Sequence, residues 1–586
     1  MSLLDMYTYH QARDLSSHTR FVYEYVCGRG SVETKRALMQ RVVHLIADPH
    51  AASVRKTYAL RVLLNPMLVS SYAAKEAPLS VETQVSVASS QKPECAHTIV
   101  SAANHEPLLN KEMVLLVVNQ VWRIVQGHGM AMFTDDELRV ELLQMSTLIL
   151  EHGADVLAAE GTSKLDAIKF GWSFLSLEDV TVKHAAYLFI SRFLQKFESP
   201  IKITGQVYVG LLRLTPSDGR ALVRRALDTL VPALPERVPS KDGQTPLWVK
   251  WTKRTLLDEG HNVLQLCSIL QLLVRYSDLF YDSRDLFVPH MVTSLAKLGF
   301  ASSSTAESKK LAIQLIDLLI KWDLPSSADT DAQGGDAESV SRKRIKTGTD
   351  TYADSSTATL ASASPSVSYS MPLHLRDLVF RFLVRFISLS MESITANDVT
   401  KHAFSLLEQV HRLPAWHGVQ VRLALLQRAL IHTDVLEQHV GPIANALATL
   451  DVISRDRDKE WLFSHMAQMQ KLLEKTLASD HPVLLDAARP ALERLCSVLP
   501  AAPPGEDDAP LPEDLAQLCT SVETAVTEGL RSGTNLASAL TLLSAWSHTH
   551  PTSINRHQPL LIKTLTPLTK EHLATPAAGG DSTLKM

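Results

Sequence analysis

Cysteine, aromatic side chains and long apolar runs are all scarce in this chain of 586 residues. The five cysteines lie far apart and no pair has metal-ligand spacing, so we expect neither a disulfide framework nor a zinc site. No run approaches the roughly 18 apolar residues that a membrane-spanning helix needs, and the N-terminus does not resemble a secretion signal. These absences predict an intracellular chain without a membrane segment.

Signatures of catalysis are missing as well. The sequence contains no GxxxxGK phosphate loop, no GxSxG nucleophile elbow, no HExxH zinc motif and no HRD or DFG kinase motif. The formal net charge of −4 gives no overall attraction to nucleic acid or to an anionic membrane. We therefore expect no enzyme activity, no cofactor, no metal, no small-molecule substrate and no direct nucleic-acid binding.

Apolar residues with helical spacing are abundant. Leu138, Leu142, Met145 and Ile149 form one stripe, which a capping box at residues 134–137 would open and a left-handed glycine cap at residue 153 would close. Similar stripes run through residues 308–322 and 375–387. No strand-like alternation accompanies them, so the pattern predicts an all-α fold.

A divergent repeat underlies these helices. Segments 48–61, 217–228 and 480–492 each begin with a polar turn containing Asp and continue with basic, small and large apolar residues. This pattern is typical of the second helix of a HEAT repeat, in which Asp caps the helix and Ala allows close packing. It predicts a HEAT-like α-solenoid of stacked antiparallel helical hairpins, each stabilised by its neighbours.

Changes in composition divide the chain into segments. Ser, Thr, Asp and Gly dominate one long stretch, which is too poor in large apolar residues to form a core, and Pro punctuates another. The predicted order is HEAT-like helices at 1–73, a long loop at 74–106, a HEAT-like solenoid at 107–323, a disordered linker at 324–370, HEAT-like helices at 371–498, a Pro-rich connector at 499–513, helical hairpins at 514–575 and a loose tail at 576–586.

Single tryptophans, cysteines and histidines are assigned to structural roles. We expect Trp122, Trp172, Trp322 and Trp461 to anchor the core because they fall on helical stripes, and Cys267 to behave as a small core residue. His548, His550 and His557 lack the Cys or acidic partners of a familiar metal site, so they are predicted to be surface residues.

A series of blocks between residues 165 and 323 is more specific than generic HEAT character. In chain order the blocks read LDAIKFGW, ITGQVYVGLLR, GRALVRRALDTLVPALP, EGHNVLQL, HMVTSLAKLGF and KKLAIQLIDLLIKW. This series resembles the central HEAT region of the transformation/transcription domain-associated protein (TRRAP) family, in a fungal-type member. Because the resemblance covers only a central region, the chain is interpreted as a fragment of such a protein.

The resemblance implies a function that the residues alone do not. Family members are very large solenoids ending in a kinase-like domain without catalytic residues, and are shared subunits of SAGA-type and nucleosomal histone acetyltransferase complexes. The chain would then be a non-catalytic scaffold segment of a nuclear coactivator, with acetyltransferase-complex subunits and transcription activators as partners. The alternative is the HEAT solenoid of an active phosphatidylinositol-3-kinase-related protein kinase. A nuclear transport receptor is disfavoured because regular repeats and an acidic inner face are missing.

Two basic groups are the candidate sites. Arg342, Lys343, Arg344 and Lys346 stand within the predicted linker, where they are interpreted as a nuclear localisation signal for an acidic importin groove; the alternative is a chance charge run. A basic strip for acidic, amphipathic activation segments is predicted from a second group, Arg213, Arg220, Arg224 and Arg225. The alternative for the strip is a solvated ladder with Asp218 and Asp228 as ion partners.

Overall fold

The computed structural model describes residues 16–73, 107–128, 133–214, 220–240, 244–324, 369–420, 422–500 and 512–574. The predicted loop at 74–106, the basic cluster at 342–346, most of the connector at 499–513 and the tail at 576–586 lie outside the described residues. Within the described ranges every regular element is a helix and none is a strand, which confirms the predicted all-α fold.

Contacts between Cα atoms divide the chain into two compact units, residues 1–269 and 270–586, a division that falls inside the segment predicted as 107–323. The helices of the first unit, some of which are extended by π-helical or 3₁₀ turns, are α1 (Ser16–Phe21), α2 (Val32–Ala47), α3 (Ser53–Tyr58), α4 (Asn65–Ala73), α5 (Lys111–Val117), α6 (Arg123–His128), α7 (Asp136–His152), α8 (Ala154–Ala159), α9 (Ser163–Leu175), α10 (Val180–Lys196), α11 (Ile201–Arg213), α12 (Arg220–Leu230), α13 (Leu234–Arg237) and α14 (Leu247–Glu259).

Helix α15 (Val263–Arg275) contains the division between the units. The helices of the second unit are α16 (Ser277–Phe280), α17 (Val288–Phe300), α18 (Ala306–Asp323), α19 (Leu373–Ser388), α20 (Asp398–Arg412), α21 (Gln427–Leu430), α22 (Val440–Ser454), α23 (Lys459–Ser479), α24 (Pro482–Cys496), α25 (Glu513–Ser532), α26 (Leu536–Thr549) and α27 (Ile554–Ala574). No single described helix is long and apolar enough to cross a membrane. Helix α15 and the helical segment Ser277–Leu286 together have sufficient length and apolar composition, but a bend of 94° separates them.

Hairpin stacking is seen within each unit. In the first unit α10 is central and packs against α7, α9 and α12. In the second unit, α17, α19, α22, α24 and α26 contact one another in sequence as one row, while α18 and α20 pack in the other row. Each helix thus buries its apolar stripe against neighbours in chain order, as the HEAT-like solenoid requires.

An aromatic cluster forms the core of the first unit. Trp122 and Phe170 are fully buried, with ring centroids 5.8 Å apart, and Phe189 meets the Trp122 ring edge-on at 6.0 Å. The Trp122 indole N–H donates to Ser146 Oγ at 3.0 Å, so its one polar group is satisfied.

The predicted tryptophan anchors divide into two kinds. Trp122 and Trp322 are buried, as predicted. Trp172 is 39% exposed and Trp461 is half-buried against His465, so the prediction was wrong for these two. On α9 the buried positions include Phe170, Gly171 and Phe174, and Trp172 points away from that stripe. Cys267 is only partly buried, contrary to expectation.

Helix ends follow local side-chain chemistry, with one correction. Helix α18 begins at a reciprocal capping box between Thr305 and Ser308, close to the predicted start. Helix α7 has no Thr134 capping box; Asp135 is its N-cap, and its carboxylate accepts from the Glu137 N–H. Gly153 has φ −113°, so it does not form the predicted left-handed cap. Asp135 rather than Thr134 is the N-cap because a carboxylate is a strong acceptor for the free N–H groups at a helix start.

Candidate interaction surfaces

The described residues on either side of the segment that carries the predicted localisation signal meet at one point. Asp323 ends α18, and Arg376 lies in the first turn of α19. Arg376 Nε donates to Asp323 Oδ2 and Arg376 Nη2 to Asp323 Oδ1, both at 2.9 Å. Asp323 Oδ1 also accepts from the Met371 N–H at 2.8 Å. This clamp holds the two flanks of residues 325–368 within hydrogen-bond distance of each other.

Two further residues adjoin the clamp on its C-terminal side. Ser370 Oγ accepts from Arg376 Nη2 at 2.8 Å. Tyr369 is half-buried, its ring centroid lies 5.8 Å from the Arg284 guanidinium, and burial raises the pKa of its hydroxyl. The described structure therefore includes Leu324, Tyr369 and Ser370, which the predicted boundary of 324–370 had placed in the linker.

The arginines of the predicted basic strip have different environments. Arg213, at the end of α11, lies 3.4 Å from Asp258 and 3.5 Å from Glu259 of α14. On α12, Arg224 lies 3.8 Å from Asp228, one of the ion partners expected in the solvated-ladder alternative, while Arg225 is exposed. The side chain of Arg220 lies outside the described residues. The strip stays a prediction; Arg213, Arg224 and Arg225 are its described members, and all three are exposed.

A cleft between α23 and α25 was not predicted. Its volume is about 970 Å³, and the two helices are bridged by a 3.2 Å hydrogen bond from Gln470 Nε2 to Ser521 Oγ. The lining residues of α24 and α26 include the buried leucines Leu492, Leu495 and Leu542. Lys471, Glu474 and Glu528 stand on the exposed rim. Such a cleft suits the apolar face of a partner helix. The charges on its rim are of both signs, so they favour neither an acidic nor a basic partner.

Among the described residues, no group of three or more His, Cys, Asp or Glu side chains has a geometry that could hold a metal ion. His548 is exposed, as predicted, and His550 is partly buried. His557 is buried beside the Trp546 ring at 6.1 Å, so the surface prediction was wrong for it. Burial lowers the pKa of His557. The burial of His557 depends on its contact with Trp546, which the spacing of the three histidines across a proline does not reveal.

A family model described as the Tra1 HEAT repeat ring region matches residues 1–586, the full length of the chain. The chain belongs to this Tra1 family. The sequence resemblance to the TRRAP family is thereby confirmed, and it extends beyond the best blocks at 165–323 to all predicted segments.

Relatives of this Tra1-family chain have consistent names. It is 31% identical over 450 residues to the Saccharomyces cerevisiae "SAGA complex/NuA4 acetyltransferase complex subunit TRA1", covering 75% of the chain and 12% of that protein. It is 25% identical over 597 residues to the human "Transformation/transcription domain-associated protein", covering 94% of the chain and 15% of that protein. A Dictyostelium discoideum "Probable transcription-associated protein 1" is 43% identical over 189 residues, 32% of the chain and 4% of that protein. The chain thus spans less than a sixth of these relatives' lengths.

Proposed function

We propose that this chain is a non-catalytic scaffold segment of a nuclear transcription coactivator subunit, which helps to bridge transcription activators to a histone acetyltransferase complex. One observation carries the proposal: the family match spans all 586 residues, and two relatives are named as subunits of SAGA and NuA4 acetyltransferase complexes. Stacked helical hairpins also favour this role because they offer extended surfaces to protein partners.

Affinity purification of the tagged full-length protein that contains this chain, followed by mass spectrometry, tests the scaffold role. We expect acetyltransferase-complex subunits to be recovered with it and to be absent from an untagged control. Recovery of the protein without any such subunit would refute the proposal.

The basic strip is our proposal for where an acidic activation segment binds. Arg224 and Arg225 are the members to change, because Arg213 already lies near two carboxylates of α14. Reversing both charges with Arg224→Glu and Arg225→Glu should weaken binding of a labelled acidic, amphipathic peptide by about fivefold or more in fluorescence anisotropy. Arg428→Glu, at an exposed position on α21, is the matched control. Equal affinities for both variants would remove the strip from the proposal.

Nuclear localisation is proposed to depend on the basic cluster Arg342, Lys343, Arg344 and Lys346. Replacing all four with Gln in a fluorescent fusion of the chain removes the charges that an acidic importin groove would bind. We expect the fusion to shift from the nucleus to the cytoplasm. The matched control replaces Lys309 and Lys310, exposed in the first turns of α18, and should leave the distribution unchanged. Nuclear accumulation of the cluster variant would contradict the assignment.

A further inference from the structure

A cavity of about 460 Å³ lies in the second unit, where the C-terminal end of α20 meets the turn between α22 and α23. One side of it is apolar. Val410 and Trp416 are 1% and 4% exposed, and Phe380 of α19 is buried beside them. This volume falls within the range of about 300–1,000 Å³ that is common for small-ligand pockets.

The other side of the cavity carries two arginines, Arg412 and Arg457. Arg412 ends α20, Arg457 lies in the turn before α23, and neither has an ion pair among the described residues. Six of the other twelve described arginines of this unit form ion pairs, namely Arg376, Arg381, Arg455, Arg489, Arg494 and Arg556. What Arg412 and Arg457 share is their place in the lining of one cavity.

Arg457 is held in place by contacts other than an ion pair. Its Nε donates to the Ile453 carbonyl at 3.3 Å, and its guanidinium lies 5.5 Å from the centroid of the Trp461 ring. Arg457 is half-buried, and burial lowers its pKa while the carboxylate of Asp458 opposes that shift. A half-buried cation in this position gains stability from an anion placed beside it.

Histidines add polar groups to the same wall. His411 Nε2 lies 2.8 Å from the Arg455 carbonyl oxygen, which can only accept, so Nε2 carries the proton and donates it. This hydrogen bond fixes the orientation of the imidazole ring at the cavity. His417, which follows Trp416, is exposed at the rim.

One carboxylate opposes this positive group. Asp456 is exposed at the rim, with φ 60° in the left-handed region. Aspartate is among the few side chains that tolerate this conformation, so its presence fits the geometry of the turn. Within the lining this one carboxylate faces two guanidinium groups, so the lining carries net positive charge. Asp458, which acts on Arg457 from outside the lining, accepts from the Trp461 N–H as the N-cap of α23.

We propose that this cavity binds a phosphate monoester, with the phosphate oxygens on Arg412 and Arg457 and the apolar group that carries the phosphate against Trp416. The planar guanidinium fork matches phosphate oxygens, and a bare phosphate ion would leave the apolar side unfilled. The site is independent of the proposed scaffold role, because its ligand is recognised by charge and by an aromatic floor, whichever complex contains the protein.

Isothermal titration calorimetry of the 586-residue chain with phenyl phosphate tests the site. Phenyl phosphate should bind more tightly than inorganic phosphate, and Arg412→Gln or Arg457→Gln should each raise the Kd by about tenfold or more. Arg428→Gln, at an exposed arginine that does not line the cavity, should leave the Kd unchanged. Because Arg412 is exposed, its substitution tests the site without putting the fold at risk.

Two further ligands distinguish the source of the ester and the chemistry of the site. A phosphotyrosine peptide that binds more tightly than phenyl phosphate identifies a phosphoprotein as the source, whereas weaker binding identifies a free phosphate ester. Either result supports the proposal if Arg412→Gln and Arg457→Gln weaken the binding. Benzoate binding as tight as phenyl phosphate, no binding of phenyl phosphate, or equal binding by Arg412→Gln would overturn it, and none of these results bears on the purification test of the scaffold role.

Discussion

Asp323 and Arg376 form a two-point ion pair across the segment that carries the basic cluster, with two hydrogen bonds of 2.9 Å each. The Asp323 side chain is only 2% exposed and the Arg376 side chain 11%. Arg376 Nη1 also donates to the Ala415 carbonyl at 2.6 Å, which links α19 to the turn after α20. The pair therefore links α18, α19 and the turn after α20.

Removing one partner of this pair should be costly. Arg376→Met leaves the Asp323 carboxylate buried without its counter-ion, and we expect a loss of about 3–5 kcal/mol in the free energy of unfolding. Urea denaturation measures the loss, and the double variant Asp323→Leu with Arg376→Met should recover part of it. The exposed pair Lys321–Asp317 serves as the control, since Asp317→Asn should cost less than about 1 kcal/mol. Equal costs for the two single variants would show that the clamp does not stabilise the fold.

Excising the segment between the clamp residues should leave the fold intact. Replacing residues 325–368 with a short Gly-Ser linker keeps Leu324, Tyr369 and Ser370, because the clamp already holds the two flanks together. Helicity should be unchanged and the Tm should move by less than about 2 °C, as circular dichroism would show.

A longer excision of 324–370 is the matched comparison. It removes Ser370 Oγ, which accepts from Arg376, and the half-buried Tyr369. This variant should melt at a lower temperature than the shorter excision. A large Tm loss in the shorter excision would mean that residues 325–368 contribute to the folded core.

Local features of the fold were accessible from sequence because they depend on near neighbours. The stripe in residues 308–322 predicted a helix that the structure places at Ala306–Asp323. Asp377 and Arg381, four positions apart on α19, form an ion pair of the kind that this spacing favours on a helix. Both features follow from the helical repeat, so no knowledge of distant contacts was needed.

Features that join distant parts of the chain were not accessible in this way. Arg213 pairs with Asp258, 45 positions away, and the arginine cavity joins the end of α20 to the turn before α23. Helical periodicity shows which face is apolar, but it does not show which neighbouring hairpin covers that face. The exposed Trp172 illustrates the same limit, because an apolar residue at the border of a helical stripe can face either the core or the solvent.

Close packing of α9 on α10 requires glycine at position 171. A Cβ atom there would lie 2.6 Å from the Phe189 ring and 2.9 Å from the Ile190 side chain. Phe189 is fully buried in the aromatic cluster and has no room to move, so Gly171→Ala should destabilise the chain by about 1–3 kcal/mol in denaturant titration. Gly127→Ala on α6 is the control, because a Cβ there meets nothing within 4 Å and the change should be neutral or stabilise by up to about 1 kcal/mol. Similar effects at the two positions would contradict this account.

Acid should destabilise the fold partly through His184. This side chain is 1% exposed, and its Nδ1 has no hydrogen-bond partner among the described residues. Burial lowers the pKa of His184 in the folded chain, while nearby Asp179 opposes that shift. The unfolded chain, with a histidine pKa of about 6.5, then binds the proton more readily than the folded chain. The stabilising effect of neutral His184 is therefore present above about pH 6.5 and is lost as the pH falls towards the lower folded pKa.

The pH dependence of thermal unfolding measures this effect. The Tm should fall when the pH is lowered from about 7.5 to about 5.5, and the fall should be smaller in His184→Gln. The difference between the two pH values is the relevant quantity, because the substitution also changes packing at both. His402→Gln, at an exposed position on α20, should keep the full fall. Burial lowers the pKa of His411 and His557 as well, so part of the fall should persist in His184→Gln. An undiminished fall in His184→Gln would show that this histidine does not contribute to acid sensitivity.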